Sequence, residues 1–218
     1  MDNNKIVYSF VYDDKTEISY EIIADIPEVK CDNANINNCK NYMDCNKCLL
    51  LNKISYYIKY FGDFLSYENV TVKVISKERE YIKKVSLQDG VRSLLGLIMP
   101  FSGCPFLANL IPMARFHLPF SSIEETQFRV IGMYLFAQYL RKKNGLQSDW
   151  DLKNLVDIYS NIREVNKKLC DKIREMSLKD ASINAIIILD VLADQVLFSV
   201  DEKELEYFEK LFVSYLND

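Results

Sequence analysis

The chain has a single histidine, His117, among 218 residues. Metal centres built on several imidazoles are therefore excluded, as is any catalytic scheme that needs two of them. Glycine is scarce at six residues, and no Gly-rich phosphate loop or internal repeat occurs. Positive charge is not in excess: 27 Lys and Arg face 31 Asp and Glu, a net charge of -4. Such a balance gives no long-range pull on nucleic acid or an anionic membrane, and no nucleic-acid partner is expected. The opening residues MDNNK carry no leader pattern, so a cytoplasmic protein is expected. Without secretion, the six cysteines read as thiols or metal ligands rather than a disulfide frame. A long charge-free run, Ser93 to Ala114, is broken by Pro100, Pro105 and Pro112, so no membrane span is expected.

What is present is enough apolar side chain, 49% of residues, to bury one core over residues 1–218. Residues 5–12 and 16–24 are rich in β-branched and aromatic side chains around the polar turn Asp13-Asp14-Lys15, which predicts a β-hairpin. Residues 27–48 are loaded with Asn, Asp and cysteine and read as a long loop, for which a bound metal would be a reason. Leu50, Ile54, Ile58, Phe61 and Leu65 recur at helical steps and predict a helix over Leu49–Leu65. Residues 70–75 and 81–86 predict a second hairpin, and Ser86 can cap a short helix containing Val91, Leu94 and Leu95.

Four of the five prolines then fall within residues 100–120, PFSGCPFLANLIPMARFHLPF, which has no period of its own. If its end is extended, Phe116, Leu118 and Phe120 face one way and His117 the other. Ser121 or Ser122 caps a helix over Ile123–Lys143, with Glu124 and Glu125 in its first turn, three basic residues in its last, and Gly145 to stop it. Asp149 opens a helix to about Met176, and residues 182–200, apolar on most sides, suit the central helix of a bundle. Asp201 starts a last helix with Leu205, Phe208, Leu211 and Phe212 facing inward. The fold expected is α+β. Residues 1–98 hold two hairpins, one antiparallel sheet with a helix between them; 99–120 form a Pro-rich corner; 121–218 form a bundle of about four helices.

Three constellations carry chemistry. Cys45-x-x-Cys48 has the spacing that lets two thiolates grip one tetrahedral ion, and Cys39 and Cys104 complete a candidate zinc set with Cys31 and His117 as alternatives. There is no second Cys-x-x-Cys. Cys104 with His117 as base and Glu124 or Glu125 behind it is a candidate nucleophile arrangement. Asn184, Asp190 and Asp194 lie on one inner helix, the two aspartates four apart on a shared face; Arg115, Arg129 and Arg163 are candidate partners, and Glu125 is a further one for Arg115, which reads as helix-register salt bridges.

Ser102-Gly103-Cys104-Pro105, the nonamer from Pro112 to Phe120 and Glu124-Glu125-Thr126 resemble an uncharacterised bacterial family of domains of unknown function, family 6901. Tyr134-Leu135, Val165-Asn166 and Asp180-Ala181 leading into Asn184-Ala185 are similar to it as well. The resemblance implies no reaction. From the residues, the expectation is a soluble binding or regulatory protein acting on a protein partner or small ligand, stabilised by a metal held through cysteines. The alternative is a cysteine-dependent enzyme using Cys104 with His117.

Overall fold

The computed structural model describes residues 4–27, 48–176, 179–199 and 206–216. β1 (Lys5–Val11) and β2 (Glu17–Ile23) form an antiparallel hairpin that sets Tyr8 opposite Tyr20 and Ser9 opposite Ser19. β3 (Asn69–Ile75) and β4 (Glu80–Ser86) form the second hairpin. β1 also pairs with β3, Phe10 opposite Val72, and the sheet order is β2-β1-β3-β4. Alternation along each strand buries Tyr8, Phe10, Ile22 and Val72 on one face and leaves Glu17, Ser19 and Glu21 in water on the other.

Two helices cover the buried face. α1 (Leu49–Ile58) is shorter than its periodicity predicts. The chain leaves the helix in tight turns, with the Phe61 N–H donating to Ile58 O and the Phe64 N–H to Phe61 O. Phe61 nevertheless stays buried, its ring 4.8 Å from that of Phe10. An apolar residue wanted by the sheet thus continues a helical period without a helix. α2 (Leu87–Ile98) follows β4 without a loop. At Gly90 an added Cβ would stand 2.8 Å from Val72 Cγ2 and 2.9 Å from Phe10 Cε1, so the absence of a side chain sets how closely α2 approaches the sheet.

The Pro-rich corner is two short 3-10 turns, Pro100–Ser102 and Ala108–Leu110, and a one-turn helix α3 (Ile111–Arg115). α4 (Ile123–Lys143) starts with a complete capping box: the Glu125 N–H donates to Ser122 Oγ at 3.2 Å, and the Ser122 N–H donates to the Glu125 carboxylate at 2.8 Å. It stops at Gly145, where φ is 72°. α5 (Lys153–Met176) begins later than Asp149 because that carboxylate acts from outside, accepting from the Asn154 N–H and the Tyr134 hydroxyl, each at 2.7 Å. α6 (Ala181–Ser199) packs against α2, α4 and α5. By length and composition it is the one described helix apolar enough to cross a membrane. It is not apolar inward on all sides, since Ile187, Val191 and Phe198 remain exposed.

The last helical segment is α7 (Glu206–Leu211) and α8 (Val213–Leu216). Here the expected inward set largely fails: Leu211 and Phe212 are exposed, although Phe208 and Phe212 both stack on Phe128, at 6.2 and 6.1 Å. Leu205 lies outside the described residues. The fold is α+β, with the strands N-terminal and the helical bundle C-terminal. Its buried side chains run without a break from Tyr8 and Phe10 through Leu94 and Leu97 to Val165 and Ile186.

Candidate functional site

A cavity of about 140 Å³ lies where the sheet half meets the helices. α2 contributes Arg92 and Ser93, α4 Thr126 and Arg129, α5 Tyr159 and Asn166, and α6 Leu189 and Ala193. The Pro-rich corner closes it with Leu107, Met113, Ala114 and His117. Among the described residues no Asp or Glu lines it. The walls are chiefly apolar, and the polar groups are few and specific.

His117 is the centre of these. The segment after α3 is not extended: Phe120 has φ 58°, and Phe116 points out with 77% exposure while His117 turns in. Tyr8 reaches up from the central strand, its hydroxyl 2.5 Å from His117 Nε2 and 2.8 Å from Ser93 Oγ. The Phe120 N–H donates to Ser93 Oγ at 3.2 Å. One run of donors satisfies all of them, from Phe120 N–H to Ser93, from Ser93 to Tyr8, and from Tyr8 to a neutral His117. Burial, with the nearby Arg129 charge second, lowers the His117 pKa from 6.5 to about 3. Burial raises the Tyr8 and Tyr159 hydroxyls far above their ordinary value.

Arg129 caps the corner. One of its nitrogens, Nη2, donates to Phe116 O at 2.7 Å and Met113 O at 3.0 Å, the carbonyls at the end of α3. Burial pulls its pKa down, and the Glu125 charge opposes that. Arg92 Nε is buried without a hydrogen-bond partner, with Asp89 Oδ1 at 3.6 Å too far to be one. Asn166 is 2% exposed, and its side-chain oxygen has no hydrogen-bond partner among the described residues. At neutral pH the cavity is therefore lined by two guanidinium groups, a neutral imidazole, the neutral phenol of Tyr159 and the Asn166 amide.

The sequence-predicted residues are dispersed. Cys39 and Cys45 lie outside the described residues, as does Cys31. Cys48 is the N-cap of α1, its sulfur accepting from the Leu51 N–H at 3.4 Å. Cys104 is buried but is not among the residues lining the cavity. Glu125 belongs to the capping box of α4, while His117 Nε2 faces Tyr8. Among the described residues no three His, Cys, Asp or Glu side chains converge as a metal-holding group. Of the aspartates on α6, both meet Arg163: Nε is 3.4 Å from Asp190 Oδ1, and Nη1 pairs with Asp194. Arg115 instead donates to Asn4 beside the first strand.

The family comparison applies to this whole assembly. The profile described as Domain of unknown function (DUF6901) matches residues 6–213. The chain belongs to this family. No curated protein and no solved structure matches it. The DUF6901 span includes every cavity residue from Arg92 to Ala193, and Tyr8 beneath His117, so the sheet half, the corner and the helices all lie within the family match. Tyr8, Ser93, Arg92 and Tyr159 gave no sequence signal of their own. Asn166 did, as half of the Val165-Asn166 pair that resembles the family.

Proposed function

We propose that this protein binds a small molecule in the cavity beneath His117. The observation that carries the proposal is the pairing of apolar walls with unpartnered buried polar groups, Asn166 Oδ1 and Arg92 Nε. A buried polar atom without a partner is costly, and polar groups of a bound molecule would relieve that cost. Ligand sites in folded proteins have this character: apolar, enclosed, with a few placed polar groups. The Cys104–His117 enzyme receives less support. A general base works best with a pKa near the operating pH, and burial takes His117 well below it.

Ala193, 4% exposed on the cavity wall, allows a direct test. Ala193→Leu fills the space with a side chain of the surrounding type. Toluene or benzoate, at about a hundredfold over its Kd, stabilises a binding protein by about 2.7 kcal/mol. At least one of the two should raise the melting temperature of the natural protein, and neither should raise that of Ala193→Leu. If neither probe shifts the natural protein, the cavity is not a binding site.

A further inference from the structure

We propose, resting on the cavity reading above, that the ligand is a ring-sized carboxylic acid bound as its anion, with a hydrogen-bond donor at the edge away from the carboxylate. Size comes first. A dry cavity of about 150 Å³ holds one benzene ring, and this one is about 140 Å³.

Charge comes second. Arg92 and Arg129 line the cavity, and among the described residues no carboxylate does. Arg129 spends one nitrogen on the Met113 and Phe116 carbonyls, and a guanidinium has five N–H groups. Arg92 Nε has no hydrogen-bond partner. Unused guanidinium donors in an apolar enclosure suit a planar carboxylate, whose two oxygens match the fork of N–H groups. A cation there would face two like charges, each with one carboxylate nearby, Asp89 3.6 Å from Arg92 and Glu125 by Arg129, neither of which lines the cavity.

The third observation gives the ligand a polarity along its length. Asn166 sits two helical turns beyond Tyr159 on α5, so it is offset along the cavity from the Arg129–Tyr159 end, whose charge and ring sense each other. Its orphan atom is an acceptor and calls for a donor. An arrangement with carboxylate at one end, a ring between and a hydroxyl or amino group at the other satisfies both orphans at once.

Isothermal titration with 4-hydroxybenzoate, benzoate, toluene and benzylammonium at neutral pH tests this on the natural protein. The expected order is 4-hydroxybenzoate over benzoate over toluene, with no binding of benzylammonium. Arg92→Gln should weaken benzoate by about tenfold or more, the usual worth of a charged hydrogen bond, and leave toluene unchanged. Asn166→Leu should erase the preference for 4-hydroxybenzoate over benzoate while benzoate still binds. Toluene or benzylammonium binding as well as benzoate overturns the acid and leaves the cavity reading standing. No binding of any of the four overturns both. The charge series needs no variant, so a misfolded substitution cannot shield the proposal.

Discussion

At the scale of single residues, the decisive contact is Tyr8 with His117, and it carries a pH signature. The imidazole has an ordinary pKa of 6.5 in the unfolded chain and about 3 in the fold. The unfolded state therefore binds the proton more tightly, and acid favours unfolding. Stability is complete above about pH 6.5 and declines as pH falls toward 3. The limiting slope is about 1.4 kcal/mol per pH unit, and the ring keeps some accessible surface, so a loss of about 1–2 kcal/mol is expected between about pH 7.5 and about pH 5. With one histidine in the chain, the cause can be isolated. Urea titrations of the natural protein and of His117→Asn across that window should show the decline in the first and most of it gone in the second. Equal slopes would mean that the imidazole is not held neutral by the fold. None of this was readable from the residues. His117 stood out by its rarity, but alternation around it placed Phe116 on the inward set, and the turn at Phe120 reverses that.

At the scale of elements, what was readable is what local chemistry decides. The hairpins, the span of α4, its capping box and its glycine stop follow from short-range preferences that the tertiary fold leaves alone. The errors fall where distant packing competes. α1 ends at Ile58 because Phe61 answers to Phe10 across the sheet, and the C-terminal segment has an apolar set with little to pack on. Metal ligation was legible only as spacing, and most of those cysteines lie outside the described residues. The glycines give the sharpest test of packing against propensity. Gly90 in α2 would bring a Cβ against Val72 and Phe10, both fully buried, whereas Gly132 in α4 has nothing within 4 Å. Alanine is the better helix former by about 1 kcal/mol, and overpacking a rigid core costs about 1–3 kcal/mol. Gly132→Ala should accordingly raise stability by up to about 1 kcal/mol, while Gly90→Ala should lower it despite the same gain in propensity. Chemical denaturation of both variants decides the matter, and a stabilising Gly90→Ala would show that α2 can move off the sheet without cost.

At the scale of the whole molecule, the sheet and the bundle are fastened at separate places, and the cavity lies between the fastenings. One is the Tyr8–His117 contact through the corner. Another is the start of α6, where Asp180 accepts from the Ser66 N–H and the Ser66 hydroxyl, each at 2.9 Å, and the Lys179 N–H donates to Gly62 O at 3.0 Å. These hydrogen bonds hold the Asp180 carboxyl below its ordinary range. Between them α2 packs on α6, so one helix belongs to both the sheet's cover and the bundle's core. Neither half can lose its structure without exposing the apolar surface of the other, which argues for a single cooperative transition. Trp150, the only tryptophan, sits after α4 in the helical half and reports on it by fluorescence. Amide exchange in β1 and β3 reports on the sheet. The opening free energy of those amides should match the unfolding free energy from Trp150 fluorescence. Asp180→Ala removes the two hydrogen bonds from Ser66 and a third from the Asn184 amide, each worth about 1.5–3 kcal/mol at most, and should lower both quantities together. If the substitution loosens β1 and β3 and leaves the tryptophan transition where it was, the halves are separable, and a cavity that depends on both would open whenever the sheet does.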